Sequence, residues 1–409
     1  MNNRITSAFA TLAVYLIIAS LGLVWAQKPA MNFKQGSSAM NIPFIPASNL
    51  ICLKVSVNGT EPGIFVLDTG AGYNVIDSAF AAKIGLDLSQ RKVSPKTGMG
   101  FSQLASLTLS LPGLEAKDQL ARAIPVAQLG AFIGVPMAGI LGYDFFKQMV
   151  FRVDYSKAVI SFYAPGHFKY QGKGARVPFE IVAPQNWPLA TIHITPEKGQ
   201  PFDAKVLIDA GAIAPFSLNV PGLCNATIPN TVTMGITGAG SGGCHGRLKA
   251  VSFGGLTLKD PLAVMPTADA GQTSDPIAAM VGQVSLGNIG GELLRRFNVV
   301  FDYPNKEMIL EPGPEFKKPM EHDMCGVFII EKLEPVRGFW VMAVTPGSPA
   351  EAAGIKQGDL ITGIGGKAPD RITLTQARDL LRRHGKKVAL SIMRDGQQME
   401  MNVRLKRMI

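Results

Sequence analysis

The sequence is short of charge and of the residues that build metal centres. Charged residues make up 17% of the 409 positions against 47% hydrophobic, so the chain buries sizeable cores and falls outside the disordered class. There are only four cysteines, Cys52, Cys224, Cys244 and Cys325, and no two have CxxC spacing. The five histidines, His167, His193, His245, His322 and His384, are scattered, so the sequence offers no metal-ligand pattern and no metal or cofactor is expected. Beyond residue 26 no apolar run is long enough to span a bilayer. The formal charge is +10, with basic residues gathered near the C-terminus (Arg382, Arg383, Lys386, Lys387, Arg404, Lys406, Arg407). They are not interleaved with aromatics as a nucleic-acid groove would be, and they read as a solvated basic face.

The N-terminus supplies the one long apolar stretch. Met1 to Ala26 carries a single charge, Arg4, then apolar and small residues from Ala8 to Trp25, and exits through Val24-Trp25-Ala26. This is the organisation of a secretory signal peptide, and it predicts a periplasmic or secreted protein. About 17 apolar residues also lie at the short edge of what crosses a bilayer, so an uncleaved segment would attach the protein to a membrane. Either way the folded part lies outside the cytoplasm, where disulfides persist. Cys224 and Cys244 flank a Gly-rich loop and form a candidate bridge; Cys52 sits inside a strand pattern. Residues 27–40 read as a polar linker.

Strand signals follow. "LICLKVSVNGTEPGIFVLDTG" places two β-rich runs around Asn58-Gly59, both of which tolerate positive φ, and so predicts a hairpin. "LATIHITPEKGQPFDAKVLIDAG" repeats the design with a longer turn, Pro196 to Pro201. Each hairpin ends its second strand on an aspartate followed by x-Gly-Ala: Asp68-Thr69-Gly70-Ala71, and Asp209-Ala210-Gly211-Ala212. The echo continues downstream, where "GILGYDFFKQMVFRVDYSKAVISF" (139–162) aligns without a gap on "GNIGGELLRRFNVVFDYPNKEMIL" (287–310). Gly142 answers Gly290, Phe145 and Phe146 answer Leu293 and Leu294, and Asp154-Tyr155 answers Asp302-Tyr303. The repeat has the size of a small domain, which predicts two mostly-β lobes, 41–168 and 175–314, related by a pseudo-twofold axis across a ligand cleft.

Such an axis brings Asp68 and Asp209 together. Two carboxylates about 3 Å apart cannot both ionise cheaply, so they share one proton and titrate as a pair. The ionised member can take a proton from a water attacking an amide carbonyl, while the protonated member hydrogen-bonds the carbonyl oxygen. Gly70 and Gly211 let the backbone turn tightly enough for amides to hold the carboxylates.

These residues carry a resemblance. "DTGA" after an apolar strand, a second D-x-G-A, and "ILG" and "NIGGELL" before short helices resemble the pepsin and retropepsin aspartic protease superfamily, over about residues 41–314. The alanines and short lobes are similar to the retropepsin side, fused in one chain as in bacterial secreted two-lobed aspartyl proteases. The resemblance implies an acid protease fold, a peptide or protein substrate, Asp68 and Asp209 as the catalytic pair, and active-site support from Thr69, Gly70, Ala71, Ala210, Gly211, Ala212, Gly142 and Gly290. It also implies that Thr69 donates its hydroxyl across the lobe interface to main chain beside the other aspartate. Ala210 departs from the family's Thr or Ser, so one half of that reciprocal grip is missing, a loss on the order of 1 kcal/mol. A covalent tether offsets that loss.

Flap candidates are "KTGMGFSQLASLTL", with Met99 or Phe101 at the tip, and the Gly-rich "MGITGAGSGGCHGRLKAVSF", with Gly238 and Gly240; each also reads as an ordinary flexible hairpin.

From about Pro319 the pattern changes. "CGVFIIEKL", "GSPAEAAGIKQGDLITGIGG", a helical "TLTQARDLLRRHG" and a strand pair around Asp395-Gly396 resemble a bacterial-type PDZ domain, a small α/β fold spanning 320–409. That family presents backbone amides to a peptide C-terminus and adds the peptide to a strand edge. The resemblance assigns this binding to Gly326, Val327, Phe328 and Ile329, with the helix from Thr375 to Leu381 as the other wall. The alternative is a packing module whose groove is occupied or closed. For the whole chain the leading expectation is an aspartic endopeptidase; the alternative is a noncatalytic peptide-binding scaffold, which Ala210 favours. A two-carboxylate glycosidase needs a wider gap than a twofold-related pair gives.

Overall fold

The computed structural model describes residues 31–93, 100–220, 223, 228–232, 242–266 and 284–409. The expected signal segment, Met99, Cys224, Gly238 and Gly240 lie outside them. Strands dominate, arranged in sheets of nine, fifteen and five strands. Among the described residues no helix is long and apolar enough to cross a membrane. Cys244 is disulfide-bonded, whereas Cys52 and Cys325 are free and buried.

Both predicted hairpins form. Leu50–Val57 pairs antiparallel with Gly63–Leu67, and the turn between them takes positive φ at Asn58 and Gly59. Trp187–Thr195 pairs with Phe202–Ile208, with His193 opposite Asp203. In each half a short strand then inserts beside the second hairpin strand. Gly139–Leu141 runs parallel to Gly63–Leu67 and antiparallel to Asn74–Asp77. Gly287–Ile289 repeats this against Phe202–Ile208 and Phe216–Leu218.

The twofold relation is written into strand register. Val150–Asp154 pairs antiparallel with Phe297–Asp302, Val150 facing Asp302 and Asp154 facing Asn298. In the aligned repeat Val150 corresponds to Asn298 and Asp154 to Asp302, so each pair maps onto the other. Arg152 opposite Val300 maps onto itself and marks the axis. Beside it Phe151 stacks on Phe301 with ring centroids 4.7 Å apart. One apolar core, including Phe145, Phe146, Phe151, Phe297 and Phe301, runs through both halves. Burying such aromatic area is the main favourable term holding the lobes together.

Within the expected linker, residues 31–33 and 38–40 take part in the sheets. Met31–Phe33 adds to the edge of Leu114–Ile124, and Ser38–Pro43 adds to Val159–Tyr163. Their backbone groups satisfy sheet edges that would otherwise be open. Polar composition concealed this, because ladder bonds need no apolar side chain.

The five-stranded sheet has its own apolar core, with Ile329, Val341, Ile361, Leu374 and Leu390. Its helix Leu374–Leu380 starts with a capping box between Thr373 and Gln376.

Candidate active site

Asp68 and Asp209 end the strands Gly63–Leu67 and Phe202–Ile208, and the two halves hold them alike. The Asp68 amide donates to Leu141 O at 3.0 Å and the Asp209 amide to Ile289 O at 2.9 Å, so each aspartate is tied to the inserted strand of its own half. Asp68 Oδ1 accepts from the amides of Gly70 (2.8 Å) and Ala71 (3.1 Å). Asp209 Oδ1 accepts from Gly211 N at 3.0 Å.

The glycines measure how closely the loops meet. A Cβ on Gly70 would lie 2.9 Å from Asp209 Cγ, and one on Gly211 would strike Asp68 Cγ more closely still. No side chain fits either place. The two carboxyls hydrogen-bond each other, enclosed by protein, and both residues are half-buried. Burial raises both above the ordinary 3.8. Asp68 is lifted well above it, first by burial and then by the charge of Asp209. Asp209 is raised by burial and held back by Asn288, Asp68 and the amides of Gly211 and Ala212.

Thr69 makes the expected cross-lobe grip. Its fully buried hydroxyl donates to Ile208 O at 2.7 Å and accepts from the Ala210 amide at 2.8 Å. Ala210, 1% exposed, offers only a methyl in the reverse direction. Gly142 and Gly290 cap the helices Tyr143–Phe146 and Gly291–Leu294 in the same extended conformation. The Gly142 amide is held by Asn74 Oδ1 at 3.0 Å and the Gly290 amide by Pro215 O at 3.0 Å. Tyr143 N and Gly291 N in turn hold the carbonyls of Ala71 and Ala212.

Phe101 is not a flap tip. It lies within Gly100–Leu111, opposite Lys92, and packs, like Ala71, Tyr73 and Ile213, against the small core that holds Val75, Ile124 and Ile140. Arg122 stacks on both Tyr73 (3.7 Å) and Phe101 (4.7 Å). This ties the candidate flap strand to the loop that carries Asp68. Among the described residues no three His, Cys, Asp or Glu side chains converge as a metal site.

The residues assigned to PDZ peptide binding contact other parts of the chain. Asp323 Oδ2 accepts from the amides of Gly326 and Val327, the latter at 3.1 Å. Burial raises its carboxyl to about 6, against the pull of those amides. Phe328 faces Phe132 of the helix Gly130–Ile133, ring centroids 6.4 Å apart. Ile329 O accepts from Arg378 at 2.8 Å, and Arg378 also donates to Ser48 Oγ at 2.8 Å. The Ser48 amide donates to Thr375 Oγ1 at 2.8 Å, and Arg382 lies 3.5 Å from the buried Glu292. The edge strand Val327–Lys332 and the helix Leu374–Leu380 therefore close on the first half of the chain.

Residues 53–145 match the family described as "Aspartyl protease", and residues 340–394 match the one described as "PDZ domain". The chain joins an aspartyl protease-like region to a PDZ domain. That region contains Asp68; Asp209 lies beyond the match and enters through the internal repeat. Among curated proteins, "Periplasmic serine endoprotease DegP" of Escherichia coli (strain K12) is 38% identical over 74 residues, 18% of this chain and 16% of that protein. "Periplasmic pH-dependent serine endoprotease DegQ" of the same organism is 37% identical over 86 residues, 21% of this chain and 18% of that protein. The chain thus spans under a fifth of the length of these relatives. Among solved structures, the aspartic proteinase from Irpex lacteus aligns at 12% identity with a TM-score of 0.43, covering 69% of this chain and 99% of that one.

Sequence reasoning passed over Asn288, whose Nδ2 donates to Asp209 Oδ2 at 2.8 Å. The signal was present: in the aligned repeat a polar residue stands where the first copy has Ile140. Asp323 and the Phe132–Phe328 contact were missed because neither Asp323 nor Phe132 lies in a motif.

Proposed function

We propose that this chain is an aspartic endopeptidase of the periplasm or secreted space, with 41–168 and 175–314 as lobes and 320–409 as the PDZ domain. One observation carries the reading: two carboxyls from equivalent loops face each other, hydrogen-bonded and raised by burial, on residues that stay partly exposed. Such a pair holds one proton between pH values where each alone would be ionised. A water between them loses a proton to the ionised aspartate as its oxygen bonds to the peptide carbonyl carbon, while the other aspartate gives its proton to the carbonyl oxygen. Collapse of the resulting diol returns a proton to the leaving nitrogen and breaks the C–N bond. No covalent enzyme intermediate or metal is required. Thr69 holds the two loops in register, and Phe101 with Arg122 and Tyr73 forms one wall of the cleft.

The PDZ domain recruits a peptide C-terminus or partner only by displacing Asp323 and the Phe132 contact. The periplasmic names of the relatives and the apolar N-terminal segment support an extracytoplasmic location; their serine chemistry stays with them.

The test is cleavage of unfolded casein at mildly acid pH by the full chain and by Asp68→Asn and Asp209→Asn. Each substitution is expected to lower turnover at least about 10²–10⁴-fold. Undiminished cleavage by both variants overturns the mechanism. The noncatalytic scaffold reading is favoured by Ala210 alone. It predicts pH-independent peptide binding with no cleavage by any form.

A further inference from the structure

We propose that Asn288 is a positioning residue that decides which of the two facing aspartates keeps the shared proton. The inference deepens the peptidase reading and rests on it. Asn288 occupies the middle of the inserted strand Gly287–Ile289 and donates through Nδ2 to Asp209 Oδ2 at 2.8 Å. Its twofold counterpart is Ile140, a buried aliphatic at the same place in Gly139–Leu141. Among the described residues no side-chain amide equivalent to Asn288 donates to Asp68, whose Oδ1 takes the amides of Gly70 and Ala71 where Asp209 Oδ1 takes that of Gly211 and is also held back by that of Ala212.

An amide N–H favours an ionised carboxylate over a protonated one. Asn288 thus stabilises charge on Asp209 alone and leaves the proton on Asp68. In the reaction Asp209 is then the group that takes the proton from water, and Asp68 the group that delivers one to the carbonyl oxygen. The reverse amide orientation would set Asn288 Oδ1 against the carboxylate. As placed, Oδ1 is buried without a partner among the described residues, so Asp209 is the contact that orients this side chain. The other titratable groups that act on the pair are each aspartate on its partner and the Tyr303 hydroxyl, buried and raised beside them, with Tyr143 adjoining. Among the described residues no cation pairs with either carboxyl.

Asn288→Ala and Asn288→Ile test this, the second installing the residue found at position 140. For each folded full-length variant, kcat/KM on labelled casein is measured against pH. In parallel, 13Cγ shifts of labelled aspartates report the pair's first deprotonation whether or not casein is cut. The acid limb and the first 13Cγ transition are expected to move up by about one pH unit in both variants. A merely structural role would lower the plateau and leave both midpoints in place, and that result overturns the proposal. Cleavage that survives in both Asp68→Asn and Asp209→Asn sinks the peptidase reading instead, and the 13Cγ midpoints still decide the role of Asn288.

Discussion

Lobe one and lobe two build the same loop, yet they contribute different things at its centre. The first supplies Thr69, whose hydroxyl crosses to Ile208 O and receives the Ala210 amide; the second supplies a methyl in return. The second supplies Asn288 against Asp209; the first supplies Ile140. Grip therefore comes from one half and charge placement from the other. A backbone symmetry accurate enough to pair Val150 with Asp302 and Asp154 with Asn298 coexists with side chains that break it at two positions.

The largest test of this comparison is steric. Gly70→Ala and Gly211→Ala each push a methyl at the opposite carboxyl, and Gly211 has less room. Displacing a reacting group by about 1 Å can cost about 10²-fold in rate. Both variants are expected to lose casein cleavage on that scale, with Gly211→Ala the worse. Equal losses would show that the two loops approach each other more evenly than the geometry indicates.

The grip comes next. Thr69→Ala leaves Ile208 O and the Ala210 amide buried and unpaired, at a cost of about 1–3 kcal/mol in urea unfolding. Ala210→Thr restores a donor from the other side and is expected to add about 1 kcal/mol. A neutral Ala210→Thr would mean that the tethered lobes no longer need a second hydroxyl.

The smallest effect is on stability against pH. Asp68 binds its proton more tightly folded than unfolded, because burial and Asp209 raise it above 3.8. Its contribution is fully present below about 3.8 and is lost as pH rises through the raised value. Asp68→Asn removes that loss, so the variant should unfold at a higher urea midpoint than the parent at pH 7, with the difference gone near pH 3.5. Asp209, held back by Asn288, should gain less from the same change. The opposite ranking would reverse the charge assignment.

Much of this was legible in the sequence because the governing signals were local or repeated. The Asn58-Gly59 turn, the paired Asp-x-Gly-Ala loops and the gapless downstream alignment each rest on backbone geometry that few residues satisfy. What stayed hidden depended on contacts distant in the chain. Ser48 meets Thr375 and Arg378, and Phe132 meets Phe328, across hundreds of residues or between separate folding units. Such contacts leave no periodicity. Strand pairing by Met31–Phe33 escaped for a different reason: three residues of mixed polarity show no pattern, and only the open edge of Leu114–Ile124 gives them a place.

In an assembly of two identical subunits every substitution arrives twice, so a change that helps one side of the cleft is imposed on the other. A single polypeptide carrying both copies escapes that rule. Here a hydroxyl stands on one side and a carboxamide on the other, so two equivalent loops serve as different halves of one instrument.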